Sequence, residues 1–422
     1  MMEEKNIIVI SLDEVRPDHV SCYGYKRINT PSIDQVAKEG IRFETCISTA
    51  DFTPIAMGTV ITGKYPHKHG MRDPYSQITG PSIGGILKEH DYLTAGFVGN
   101  GLLAKHHGFA EGFDFWNEAT KDTSFVELQY PGSDIGEIFY EGNYWVEDFF
   151  KWLKVNYKEK FFAWGHLYET HESSEHSLLK KGMLKEGELS EYAYYDAKIK
   201  MADENLIGRL LKTLDELKMS EKTVLVVMSD HGTNLEDRPA KTIPWRKVEK
   251  KYPQHTTMYD HDLKVMMLIK GEGLPKNKIV KGMVGSVSLV PTLLDLVGLP
   301  IEKYDFDGKS LLPYILQGEA KGVEVYSEDL FELRGEGALQ SIRTDTLKFI
   351  RNLTQGTEEY YDLINDPQEK NNIANQIDKE TKISLRKKLN LFLKGQVSKG
   401  SEFSQKKKEE IDKRLRMLGY IK

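Results

Sequence analysis

Residues 7–14 read IIVISLDE and residues 224–231 read VLVVMSDH, two short β-branched runs that each end in acids or in an acid beside a histidine. A run that is apolar at nearly every position, rather than at every other one, reads as a strand covered on both faces, the habit of parallel sheets. In an open α/β sheet, ligands gather beyond the carboxyl ends of such strands. Asp13 and Glu14 of the first run, and Asp230 and His231 of the second, are therefore expected to meet at one edge of the sheet. Carboxylates beside an imidazole form a donor set suited to a divalent cation.

A third segment is expected to reach the same edge. Residues 51–70 read DFTPIAMGTVITGKYPHKHG, in which Ile55 to Ile61 predicts a helix and Thr53 sits in the loop before it. The partial positive charge of a helix N-terminus favours an oxyanion there. A threonine hydroxyl is a poor nucleophile at neutral pH, and a cation is the usual means of activating it. Thr53 is expected to serve both as nucleophile and as the oxygen that completes the cation's sphere.

Composition excludes several classes. At 422 residues the chain exceeds a typical single domain, although α/β sheets of this size often form one large body with a smaller appendage. A net charge of −6 argues against a nucleic-acid footprint, which needs a basic excess on one face. The apolar stretch near the N-terminus is too short for a signal segment or a membrane span, so a cytoplasmic chain without an anchor is expected. Cys22 and Cys46, the only cysteines, lack metal-ligand spacing and read as buried thiols.

Strands and helices alternate through the first three quarters of the chain, which predicts a mostly parallel sheet with helices on both faces. NTPSIDQVAKEG reads as a helix with Thr30 as N-cap, Pro31 in its first turn and Gly40 at its end. IRFETCIS is then a strand leading to Thr53. A helix over Ser82 to Glu89, strands over Thr94 to Val98 and Phe161 to Leu167, and an amphipathic segment from Tyr192 to Leu217 follow. Two polar stretches, Glu172 to Glu191 and Glu236 to Gln254, fit the alternation badly and read as functional loops or insertions. The second carries Arg238, Lys241, Arg246, Lys247, Lys250 and Lys251, which suits either an anionic substrate or a solvated surface. From Val323 onward, short alternating segments predict a small antiparallel sheet followed by a helix over Lys379 to Leu393 and a charged terminal helix. The expected division is a catalytic unit over 1–322 and a C-terminal subdomain over 323–422.

Six ordered motifs resemble the alkaline phosphatase and sulfatase superfamily. ISLDEVRPDHVSCYGY resembles the sulfatase opening, and TPIAMGTVITGKYPHKHG the nucleophile helix with its Thr-Gly, basic residue and Tyr-Pro-His. VLVVMSDHG resembles the second metal strand, SVSLVPTLLDLVGLP and DGKSLLPYILQG two later segments, and YYDLINDPQEKNNIA the C-terminal hairpin. The resemblance implies an alkaline phosphatase-like α/β fold and a metal-dependent ester hydrolase acting on a small anionic substrate. One departure is at the nucleophile: sulfatases convert a cysteine or serine in a CxPxR frame to formylglycine, whereas this chain has Thr53, then Pro54, with Met57 at the arginine position. Threonine cannot yield that aldehyde, and a threonyl ester must be cleaved by water attacking the transferred group. Phosphodiesterases of the superfamily use a threonine with a nearby asparagine, here Asn100 at the end of DYLTAGFVGN. The reading therefore ranks phosphodiester or phosphonate monoester hydrolysis above sulfate ester hydrolysis. Head-group transfer and a silent binding module stand as other classes.

Further roles follow from the resemblance. FFAWGHLYETH matches a strand ending in an acid and a histidine, so Glu169 and His171 correspond, with His171 as proton donor to the leaving oxygen. His166 reads either as a partner of the site or as a satisfied core histidine. His255 and Asn100 are expected to hold substrate oxygens, and Lys64 either to bind substrate or to favour the end of its helix. One cation is preferred, of calcium, magnesium, manganese or zinc, held by Asp13, Glu14, Thr53, Asp230 and His231; a second would take Glu169, His171 and His255.

Overall fold

Strand β1 (Asn6–Leu12) lies at the centre of a nine-stranded sheet, with β5 (Phe161–Leu167) on one side and β6 (Thr223–Ser229) on the other, both parallel to it. The computed structural model describes residues 5–99, 101–118, 144–171, 178, 182–184, 190–235, 237, 256–331, 337–394 and 403–417. The remaining strands of the sheet are β2 (Ile41–Ile47), β3 (Leu93–Val98), β4 (Phe115–Glu118), β7 (Lys264–Val265), β8 (Met267–Lys270) and β9 (Lys278–Gly285). Their order is β4-β3-β5-β1-β6-β8-β2-β7, with β9 added parallel to β2. The half around β1 is parallel throughout, as expected, whereas β8 runs antiparallel to both β6 and β2.

Strand register explains both the core and the site. Side chains alternate between the two faces of a strand, so odd positions of β1 share one face. Ile7 and Val9 pack there with Phe162, Trp164, Val224, Val226 and the helix α2 (Thr53–Thr62). Ile8, Ile10 and Leu12 pack on the other face with Ala163, Leu225, Val227 and the helices Tyr144–Asn156, Glu191–Ala202 and Arg209–Glu216. Every residue of α2 is buried, so the helix is apolar all round rather than striped.

Two local departures have physical causes. The helix carrying Thr53 begins at Thr53 itself, with Phe52 as N-cap, because Pro54 in the first turn has no backbone N–H to leave unpaired. The segment expected to run unbroken from Tyr192 to Leu217 widens into a π stretch over Asp203–Gly208. There Asp203 accepts the backbone N–H groups of Ser32 and Ile33, satisfying the first turn of the helix α1 (Pro31–Glu39).

A second sheet, β10 (Val325–Asp329), β11 (Leu339–Arg343), β12 (Leu347–Asn352) and β13 (Thr357–Asp362), is an antiparallel meander covered by the helix Lys379–Leu393. It props the loop before α2: Ser327 Oγ donates to Ser48 O at 2.7 Å and Glu328 N to Thr49 O at 2.9 Å. Arg72 grips the Glu328 carboxylate through two hydrogen bonds of 2.8 and 2.9 Å. No helix among the described residues is long and apolar enough to cross a membrane.

Candidate functional site

The alternation that builds the core also aims the chemistry. Continuing β1 by one step puts Asp13 on the α2 face; Ser11 pairs in register with His166 of β5 and with Met228 of β6, so Asp230 emerges beside Asp13. Thr53 reaches the same spot from the first turn of α2. Its Oγ1 lies 3.4 Å from Asp13 Oδ2 and 3.2 Å from His231 Nε2, and all three side chains are fully buried. The expected convergence of three distant segments is thus present, with the hydroxyl at the positive end of a ten-residue helix.

Among the described residues, three donors lie within 4.8 Å of one another at Asp13, His166 and Asp230. Asp13 Oδ1 and Asp230 Oδ2 are buried and accept no hydrogen bond from the described residues. Buried carboxylate oxygens left without partners are unfavourable in a dry interior without a counter-charge, so the donor set fits a divalent cation. His231 fits the same set: its Nδ1 lies 2.8 Å from Gly232 O, and because a carbonyl only accepts, Nδ1 carries a hydrogen and Nε2 is the atom left to the cluster. Asp13, Asp230, His231 and Thr53 are the residues that would hold the ion.

The electrostatics agree. Burial opposes ionisation of Asp13, but the hydrogen bond from His166 and the charges of His171, His166 and His231 hold its carboxyl below the ordinary range. Burial, reinforced by the Asp13 charge, pushes Asp230 up. For His166, burial disfavours the charged ring, yet the hydrogen bond to Asp13 and the charges of Asp13, Asp230 and Glu169 raise it on balance.

Glu14 has an unusual backbone. It sits at an even position with φ of 58°, a left-handed conformation that a residue with Cβ adopts at a cost of about 1 kcal/mol. Three contacts fix it there. Its N–H donates to Asp230 Oδ1 at 3.0 Å, its carbonyl accepts from Tyr195 Oη at 2.5 Å, and its Oε1 lies 3.0 Å from His171 Nε2. Glu14 turns its carboxylate to His171, and its place among the cation's ligands stays an expectation. His171 stacks on Tyr168, and Lys198 Nζ donates to its carbonyl at 2.6 Å. Glu169 is buried close by.

Lys64 does not reach the site. It follows the C-terminal end of α2, about 15 Å along the axis from Thr53, and its Nζ lies 3.4 Å from Asp305, so substrate binding is corrected to a role at the helix end. Asn100, His255 and all of the basic cluster between Arg238 and Lys251 lie outside the described residues, as does most of 172–191. A second cation at Glu169, His171 and His255 is accordingly left as an expectation.

Four residues of the site were not singled out from the sequence. Ser11 receives the Trp164 indole N–H at 3.0 Å and meets His166 Nδ1 at 2.9 Å. Tyr195 and Lys198, one helical turn apart, secure Glu14 and His171 from the helix Glu191–Ala202; their spacing was the available signal. Arg16 binds both Asp18 and Asp237 and donates to Thr233 O at 3.0 Å, which ties the loops after β1 and β6 together.

Residues 5–299 match the family model described as Sulfatase, and residues 249–395 match the model described as N-sulphoglucosamine sulphohydrolase, C-terminal. The chain is 26% identical over 413 residues to an ulvan-active sulfatase of Formosa agariphila, covering 89% of this chain and 78% of that protein. It is 24% identical over 479 residues to an N-acetylglucosamine-6-O-sulfatase of Bacteroides thetaiotaomicron, covering 87% and 82%. Its fold is similar to that of a phosphonate monoester hydrolase of Agrobacterium radiobacter, with a TM-score of 0.72 at 19% identity over 93% of this chain and 96% of that one.

Proposed function

Because the chain belongs to the sulfatase family, we propose that it is a metal-dependent hydrolase of anionic esters that cleaves a sulfate ester on a sugar through direct attack by Thr53. One observation carries this reading: the Thr53 hydroxyl stands 3.4 Å from Asp13 Oδ2 and 3.2 Å from His231 Nε2, at a helix N-terminus and among buried carboxylates with unmatched oxygens. The two curated relatives, named for sulfate removal and aligned over most of the chain, support the sulfate ester. They reverse the order reached from the sequence, in which phosphoesters came first.

A divalent cation, when bound, supplies positive charge to the ester oxygens and favours the ionised hydroxyl. The residues do the rest. Thr53 Oγ1 gives up its proton to Asp13 Oδ2, to which it donates at 3.4 Å, and attacks; the N-terminus of α2 favours the charge that develops beside it. His171, held by Glu14 and Lys198, donates a proton to the departing alcohol oxygen. Water then cleaves the covalent adduct and releases the acid.

A second reading rests on Thr53 itself. An unmodified hydroxyl must be freed by attack of water on the transferred group, and phosphorus esters suit that second displacement. The deciding experiment is a panel of aryl sulfate, aryl phosphate, aryl phosphodiester and aryl phosphonate, each with calcium, magnesium, manganese or zinc. Fastest turnover of the sulfate supports the proposal; preference for a phosphorus ester replaces it with the second reading; no turnover of any ester with any ion overturns both.

A further inference from the structure

We infer that His166 supplies a nitrogen ligand to the cation where Glu14 was expected to supply an oxygen, so that the site selects manganese- or zinc-class ions over calcium and magnesium. This rests on the reading above in one respect only, that the buried cluster holds a cation. Position is the first argument. His166 emerges on the α2 face with Asp13 and Asp230, and a donor nitrogen of its ring falls within 4.8 Å of donor oxygens from both. Its Nε2 is the atom on the cluster side, 3.2 Å from Asp13 Oδ2.

The hydrogen bonds behind the ring are the second argument. Ser11 Oγ has one hydrogen and two lone pairs. It accepts from Trp164 Nε1 at 3.0 Å, and Gly165 O, 3.3 Å away, can take its hydrogen. The remaining lone pair then accepts from His166 Nδ1–H at 2.9 Å. A bound cation would select this arrangement: without an ion His166 Nε2–H donates to Asp13 Oδ2 and Nδ1 accepts from Ser11 Oγ, whereas in the Nδ1–H tautomer every donor still has an acceptor and the Nε2 lone pair is left for the ion. A metal-bound histidine commonly has its other nitrogen held by such a partner.

Charge and the fate of Glu14 complete the case. Glu14 holds its carboxylate against His171, with Oε1 3.0 Å from Nε2. Two carboxylates, Asp13 and Asp230, with neutral rings from His166 and His231, balance a divalent charge without a third acid. Calcium takes six or more oxygens, and magnesium likewise favours oxygen, whereas imidazole suits manganese less strongly than zinc but better than it suits either hard ion.

The test uses the full chain, stripped with chelator and titrated separately with calcium, magnesium, manganese and zinc by calorimetry. Manganese-loaded protein is then read by pulsed electron paramagnetic resonance, which counts coordinated imidazoles without reference to activity. The expected result is tighter binding of manganese and zinc than of calcium and magnesium, with two imidazoles on the ion, from His231 and His166. His166→Ala should leave one imidazole and lower manganese affinity about 10- to 100-fold. Calcium bound as tightly as manganese, or a single imidazole in the unaltered protein, overturns the inference while leaving the hydrolase reading intact. Failure to bind any of the four ions overturns both. The count on the unaltered protein decides the matter even if His166→Ala does not fold.

Discussion

Replacing Thr53 by alanine separates chemistry from folding more sharply than any other single change in this site. On the folding side, the substitution removes a buried methyl, worth about 1 kcal/mol, and a hydroxyl whose two contacts, 3.4 and 3.2 Å, are long enough that their loss costs about 1 kcal/mol. Alanine is well tolerated in a first helical turn, so the sum is about 2 kcal/mol, against a total stability of order 5–15 kcal/mol. On the chemical side, loss of a covalent nucleophile should slow turnover by at least about 10,000-fold, which is more than about 5 kcal/mol of barrier. The assay is steady-state hydrolysis of the ester preferred in the panel, with thermal unfolding followed by circular dichroism on the same samples. Rapid quenching and peptide mass analysis should find an adduct on Thr53 in the unaltered protein and none in Thr53→Ala. Thr53→Ser keeps the attacking oxygen and should retain measurable turnover. If Thr53→Ala is folded and keeps more than about a tenth of the rate, attack by this hydroxyl is wrong.

Three other outcomes are expected. Asp230→Asn should raise the unfolding temperature in the presence of chelator, since burial and the Asp13 charge disfavour the Asp230 carboxylate and an amide can still accept from Glu14 N and His231 N; cation binding should be lost, and a lower unfolding temperature would contradict the argument. Gly232→Ala should disrupt the site, because a Cβ there would lie 2.1 Å from His261 O, forcing apart the backbone that orients His231; unchanged cation affinity by calorimetry would refute this. Asp260 is held below the usual carboxylate range: burial opposes its ionisation, but Arg343 and Lys348 override it. A depressed acid stabilises the fold above its unfolded pKa and loses that contribution as pH falls, so Asp260→Asn should cost about 3 kcal/mol near neutrality. The gap in denaturant unfolding should hold down to about pH 4 and narrow below it, and a gap independent of pH throughout would show that the carboxylate's charge is not what stabilises the clamp.

Much of this was legible before any coordinates. The uninterrupted apolar runs around Val9 and Val226 announced strands covered on both faces, and the acids after them announced an edge where a cation could be held. The bounds of α1, from Thr30 and Pro31 to Gly40, were readable from neighbours in the chain, although its first turn is satisfied by the distant Asp203 and not by the Thr30 side chain. Even the correction to Lys64 follows from local information, since ten residues of helix carry it about 15 Å from Thr53.

What no local signal contains is register between strands. Whether His166 faces Asp13 or the opposite side of the sheet depends on how far β5 slides along β1, and a shift of one residue would send it to the other face. The hydrophobic pattern cannot decide this where a strand is apolar on both sides. Packing decides it, through Trp164 against the α2 face and the hydrogen bond from its indole to Ser11. The same holds for Glu14, whose left-handed backbone exists because Asp230, Tyr195 and His171 arrive from three distant segments to hold it. Residue types and their order thus specify the kind of site, while the assembled sheet chooses which side chains enter it, because only there do atoms hundreds of positions apart compete for the same few ångströms.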